Sequence, residues 1–212
     1  MKFKMPQKAR PKACVVPCLL GLESVVGDEL RALGIPKNKI KQTNGHVFWR
    51  IDTTGSDDVW GERFNRALYQ ANLGLSSAER VQIELAHKKC VTFEELYDFA
   101  RSLPWEYYAD EGVFFHLSGW SRKSKLYGIP SCQSLVKRAI MDRLIEVRNL
   151  PEGSKIAEDP EKGEARIQIV IQNDVVSLRL DTSGEGLHKR GYRLEQGEAP
   201  IKETLAAALI HL

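Results

Sequence analysis

Two alternating runs around a pair of turn-forming residues constrain this chain most. Ala165 to Ile171 and Val175 to Leu180 place apolar side chains at every second position, with Asn173-Asp174 between them. A period of two fits strands with one buried face. Asn and Asp tolerate the left-handed backbone that a tight hairpin turn requires. The second run leads into Leu180 to Arg193, LDTSGEGLHKRGYR. There a turn through Ser183-Gly184 and Gly186 precedes Lys189, Arg190 and Arg193, which flank Gly191 and Tyr192.

The first third repeats the hairpin logic. Lys39 to Gln42 and His46 to Ile51 flank Asn44-Gly45, a strong two-residue turn. Ala13 to Pro17 reads as a short buried strand. Leu22, Val25, Val26, Leu30 and Leu33 have helical spacing over Glu23 to Leu33, and Gly34 is placed to stop that helix. Asp57 to Leu68 is again helical, with acids in its first turn, and Ala71 to Leu75 reads as a further strand. The order βαββαβ predicts a ferredoxin-like unit over 13–75.

The second half predicts an extended stretch at Glu79 to Leu85 and then α-β-α-β-β. Thr92 caps a helix to Leu103, with Glu95 completing a capping box. Pro104 ends it, and Trp105, Tyr107 and Tyr108 read as core aromatics. Val113 to Ser118 is a strand. Gly119 to Pro130 is a polar loop, and Ser131 is placed to cap a helix to about Ile145. Leu135, Val136, Ala139, Ile140 and Leu144 form its apolar face, which leaves Lys137, Arg138 and Arg143 for the exposed side.

Most enzyme chemistry has no local signature here. The sequence holds no GxxxxGK[ST] loop and no GxGxxG at a strand-to-helix turn. His46, His87, His116, His188 and His211 lie far apart, so a metal site has no local signature. Cys14, Cys18, Cys90 and Cys132 are scattered and read as reduced thiols of a cytoplasmic protein. No apolar run approaches the ~20 residues that span a bilayer. The basic stretch 1–12 is followed only by Cys14 to Leu20, which Pro17 breaks, so it predicts a tail and not a secretory signal.

Charge points instead to a polyanion. The net charge of +3 conceals a gradient: residues 1–50 hold ten Lys/Arg against three Asp/Glu, and residues 51–112 hold six against twelve. A local excess recurs between Arg122 and Arg143. Arg122, Lys123 and Lys125 run directly toward the helix start at Ser131, where free N–H groups and the helix dipole favour a phosphate. Lys137 and Arg138 extend this constellation by one or two turns.

GLESVVGDEL (21–30), SRKSKLYGIPSCQSLVKRAI (121–140) and LDTSGEGLHKRGYRLEQGEAPIKETLAAALIHL (180–212) carry a family resemblance. They resemble bacterial THUMP-containing ribosomal RNA guanine-N2 methyltransferases, also labelled N6-adenine-specific DNA methylases. The resemblance implies an α+β chain: a basic tail over 1–12, a ferredoxin-like domain over 13–75 and an α/β THUMP domain over 76–181. A junction over 182–199 follows, and 200–212 would be the first helix of a Rossmann-like methyltransferase domain. S-adenosylmethionine is implied for the full-length protein. The glycine-rich cofactor loop and the Asn-Pro-Pro-Tyr type motif fall outside these 212 residues. The expectation is therefore RNA recognition without catalysis and no cofactor held by this region. Ala206, Ala207, Leu209 and Ile210 would lack a domain to pack on.

Mapped onto this sequence, the resemblance places RNA contact on Arg122, Lys123, Ser124, Lys125 and Ser131, with Lys137 and Arg138 beyond. It also implicates Lys189, Arg190 and Arg193, which either touch RNA or fix the domain arrangement. The expected partner is structured RNA, ribosomal RNA first, and no membrane. A standalone THUMP-type adaptor serving a separate RNA-modifying enzyme is the alternative, and a protein-interaction module whose charge serves solubility is the third reading.

Overall fold

The computed structural model describes residues 11, 13–51, 62–151, 153–191 and 201–211. They fall into two compact units, one with Pro11–Ile83 and Asp181–Leu212, the other with Glu84–Leu180. The fold is mixed, with seven strands and five α-helices among the described residues.

In the first unit, β1 (Ala13–Pro17), β2 (Ile40–Thr43) and β3 (His46–Arg50) lie in the order β2-β3-β1. Both pairings are antiparallel, with Phe48 opposite Val15 on one side and Lys41 on the other. Helix α1 (Glu23–Ala32) buries Val25, Val26 and Leu30, as its spacing requires. Its first carboxylate, Glu23, accepts the N–H of Gly45 at 2.6 Å and of Gly21 at 2.9 Å. The Gly45 bond in particular holds that carboxyl below its ordinary range. The start of α1 is thus pinned to the β2–β3 turn.

Helix α2 (Glu62–Gly74) corrects one expectation. Ala71 to Leu75 is not a strand but the end of this helix, and the Leu75 N–H donates to the Ala71 carbonyl at 3.1 Å. Ala71 and Leu75 are fully buried because they continue the helical stripe from Leu68. Gly74 is required by close packing: a Cβ there would meet Leu33 Cδ2 at 2.8 Å. The predicted start at Asp57 lies outside the described residues. Extended chain follows only after the helix, where Ala78 bridges Cys18 and the Glu79 N–H donates to Pro17.

Helix α5 (Glu203–His211) finds a packing surface within this unit. Ala208 joins Leu22 and Val25 in a small core, with Leu19 and Leu205 alongside. Lys202 donates to both Glu79 carboxylate oxygens at 2.6 Å. Ala206 and Ala207 are half-buried, whereas Leu209 and Ile210 remain exposed.

In the second unit, β4 (Gln82–Lys89), β5 (Phe114–Arg122), β6 (Glu164–Gln172) and β7 (Val175–Asp181) run in the order β4-β7-β6-β5. The β6–β7 pair is the expected antiparallel hairpin, with Asn173 and Asp174 at φ 51° and 63°. β5 and β6 are parallel, joined by a crossover through α4 (Ile129–Val147). Helix α3 (Phe93–Arg101) packs beside α4 and carries the predicted capping box between Thr92 and Glu95. Trp105 is buried, donates to the Ala100 carbonyl at 2.7 Å and meets Phe115 edge-on. β5 is longer than its alternation predicts. Gly119 to Arg122 are strand, not loop, because they pair with Ile169 to Gln172. At Gly119 a Cβ would lie 2.4 Å from the Ile169 carbonyl oxygen, so β5 passes there only without a side chain.

Candidate nucleic-acid interface

The loop from Lys123 to Gly128 is short and braced. Lys123 adopts a left-handed conformation at φ 52°, which reverses the chain just past β5. The Ser124 hydroxyl donates to the Arg122 carbonyl at 3.0 Å and accepts the Asp174 N–H at 3.0 Å. The Asp174 carboxylate then accepts the Lys125 N–H at 2.8 Å, and the Asn173 N–H donates to Arg122 at 3.2 Å. The β6–β7 turn therefore serves as a template for this loop. The Arg122 carbonyl and the Lys125 N–H are thus satisfied by the fold, while the side chains of Arg122, Lys123 and Lys125 are exposed. Among the described residues, none of these three makes a side-chain hydrogen bond or ion pair.

The start of α4 differs from the expected cap. Gly128 is the N-cap, no side chain caps the helix, and Pro130 occupies the first turn. Ser131 is an exposed first-turn residue and not the cap, because Pro130 sets the helical backbone one turn earlier. The Ile129 N–H donates to the Tyr127 carbonyl at 3.0 Å, Pro130 has none to offer, and the Cys132 N–H donates to Gly128, so of the first-turn residues only Ser131 keeps a backbone N–H without a side-chain acceptor.

Farther along α4 the basic residues divide. Lys137 is not on the exposed side. Its ammonium donates to the Glu158 carboxylate and, at 2.8 Å, to the Phe115 carbonyl, and sits 4.7 Å from the Phe114 ring centroid. Arg143 is likewise committed, donating to both Glu106 oxygens at 2.8 and 3.3 Å. The reason is tertiary: the loop carrying Glu158 and the short helix carrying Glu106 pass these positions. Arg138 is exposed, with its guanidinium stacked 5.1 Å from the Tyr97 ring.

The second basic segment has another character. Arg190 donates Nη1 to the Leu73 carbonyl at 2.6 Å and Nη2 to Asn72 and Leu75 at 2.9 and 2.7 Å. Its Nε–H bonds the Leu187 carbonyl at 2.9 Å. These acceptors include the last turn of α2, whose carbonyls have no intrahelical donor. Arg190 is therefore a C-terminal helix cap supplied from distant sequence.

The residues before Arg190 are held in the same unit. Ser183 donates to the Asn72 side chain at 2.7 Å and accepts the Val81 N–H at 2.8 Å. Asp181 accepts Arg80 at 2.6 Å. Lys189 is exposed, and Arg193 lies outside the described residues.

Sequence reasoning missed three neighbours of the loop. The Cys90 N–H donates to the Asp174 carbonyl at 2.8 Å, which brings the end of β4 to the same turn. Lys88 and Lys89 are exposed there. The Val91 N–H, first of all, holds the Glu95 carboxyl below its ordinary range, with smaller contributions from Lys88 and Lys125. Two separate segments thus deliver cations to one place. The third neighbour is Tyr127, 83% exposed in the loop itself. A Lys-Lys pair closing an alternating strand was the available signal for the first two.

Among the described residues, no helix is long and apolar enough to cross a membrane, and no group of three His, Cys, Asp or Glu could hold a metal ion. Nor does any strand-to-helix turn among them carry closely spaced glycines that could bring backbone N–H groups to a nucleotide cofactor.

Residues 13–55 match the RlmL ferredoxin-like domain, and residues 90–181 match the THUMP domain. The chain is 39% identical over 194 residues to YpsC of Bacillus subtilis (strain 168), named as a candidate RNA methyltransferase, covering 91% of this chain and 46% of that one. It is 28% identical over 198 residues to the ribosomal RNA large subunit methyltransferase K/L of Marinomonas sp. (strain MWYL1), covering 93% and 25%. Among solved structures, a predicted N6-adenine-specific DNA methylase from Listeria monocytogenes str. 4b F2365 aligns with TM-score 0.80 at 39% identity, covering 97% of this chain and 49% of that one. SMU.472, a candidate methyltransferase solved with SAH, aligns with TM-score 0.80 at 34% identity, covering 95% and 48%. The chain thus spans about half of YpsC and of each solved relative, and a quarter of the K/L enzyme. With a ferredoxin-like and a THUMP domain in sequence, this chain resembles the N-terminal region of bacterial THUMP-containing RNA methyltransferases.

Proposed function

We propose that this chain is the RNA-recognition region of an S-adenosylmethionine-dependent RNA methyltransferase, with ribosomal RNA the first substrate to test. The carrying observation is the Arg122–Lys125 loop. Three exposed cations that make no side-chain hydrogen bond or ion pair among the described residues project from a backbone that the β6–β7 turn holds fixed, beside a helix start that no side chain caps. Fixed cations facing solvent suit a phosphate array, and Lys88 and Lys89 add charge at the same turn. The matched THUMP domain includes this loop, and the relatives named as RNA methyltransferases support the class of substrate.

Binding on this reading rests on phosphate and shape, because double-helical RNA hides its bases in a deep, narrow major groove. Methyl transfer, and the site that holds S-adenosylmethionine, belong to the portion of the relatives that this chain does not span. The test is titration of structured RNA against the Arg122→Ala, Lys123→Ala, Lys125→Ala triple variant by fluorescence polarisation. Weaker binding with a flatter salt dependence is expected. Unchanged binding removes the loop from the interface.

A further inference from the structure

We propose that Tyr127 is a stacking platform for an unpaired nucleotide, set beside the phosphate-facing cations Arg122, Lys123 and Lys125. This deepens the RNA-binding reading above and rests on it. Trp105 and Phe115 serve the core: both are buried, and Trp105 meets Phe115 and Tyr108 edge-on. Tyr127 is the opposite case. The residue is 83% exposed and, among the described residues, its side chain makes no hydrogen bond or ring contact.

The backbone beneath that ring is nevertheless fixed on both sides. Leu126 is buried, and its carbonyl accepts the Ser121 hydroxyl at 2.6 Å. The Tyr127 carbonyl accepts the Ile129 N–H at 3.0 Å, and Gly128 then begins α4. An exposed ring on a fixed backbone has only its own two side-chain torsions to order on contact, and every base has a π-face to offer it. In a continuous helix those faces are covered by neighbouring bases. The ligand class is therefore an RNA helix carrying an unpaired nucleotide, in a loop, a bulge or a tail, with the helix phosphates on the lysines and arginine.

The test compares a blunt RNA duplex with the same duplex carrying a short single-stranded tail, titrated against the 212-residue chain by polarisation. The wild-type protein should prefer the tailed duplex by about tenfold, the size that stacking of a base on an aromatic ring supplies. Tyr127→Ala should bind both duplexes equally, at the wild-type blunt affinity, and Tyr127→Phe should keep the preference. Equal binding of both duplexes by the wild type overturns the inference and leaves the RNA reading standing. So does a preference that survives in Tyr127→Ala, which would assign recognition of the tail to another residue. No binding of either duplex at low salt overturns the RNA reading and this inference together.

Discussion

The two basic segments of this chain look alike as sequence and differ in what their charges touch. SRKSK and LHKR each place cations beside small polar residues at the end of a strand or turn. In the first, the backbone is braced by Ser124 and Asp174, and the side chains of Arg122, Lys123 and Lys125 make no hydrogen bond or ion pair among the described residues. In the second, Arg190 itself is the brace, with four hydrogen bonds to backbone carbonyls. What separates an arginine for an external anion from a structural arginine is thus whether unsatisfied carbonyls lie within its reach. Charge density alone does not distinguish them.

The largest effect should come from Arg190→Ala. Removing a cation that bonds several part-buried carbonyls leaves those acceptors unmatched, and a loss of about 2–3 kcal/mol in urea unfolding is expected. RNA affinity of the folded protein should not change. Next is the Arg122, Lys123, Lys125 triple alanine variant. It should unfold within about 0.5 kcal/mol of wild type. Its log-log salt slope for RNA binding should fall by about three, one per lost phosphate contact.

Lys137→Met sharpens the division within α4. It removes the ammonium from Glu158 and Phe115, so a destabilisation of about 1–2 kcal/mol is expected by thermal melting. Its salt slope should stay at the wild-type value. Lys189→Ala, beside the capping arginine but exposed, should move stability by less than about 0.5 kcal/mol. A larger loss would mean that the cap extends beyond Arg190.

Features fixed by neighbours in sequence were legible in advance. The Asn173-Asp174 hairpin, the Thr92–Glu95 capping box and the apolar face of α4 each follow from spacing over a few residues. Local pattern failed where two periods overlap. Ala71 to Leu75 has the apolar density of a short strand, but its burial follows the helix that precedes it. It also failed where the partner is remote. The acceptors of Arg190 at Asn72, Leu73 and Leu75 precede it by more than 110 residues, and Glu158 follows Lys137 by 21. In the candidate interface the loop cations could be named from sequence. Lys88 and Lys89 show in sequence only as a pair closing an alternating strand; the β4–β7 pairing is what brings them to the same turn.

The most direct test is one salt titration of RNA binding, run with the wild type, the triple loop variant and Arg190→Ala, each with its melting temperature. The loop variant should bind more weakly with a shallower slope and an unchanged melt. Arg190→Ala should melt lower with an unchanged slope. The contrary pattern, a shallower slope at an unchanged melt for Arg190→Ala and wild-type RNA binding by the loop variant, would contradict the assignment of the loop as the anion-facing segment and Arg190 as a helix cap.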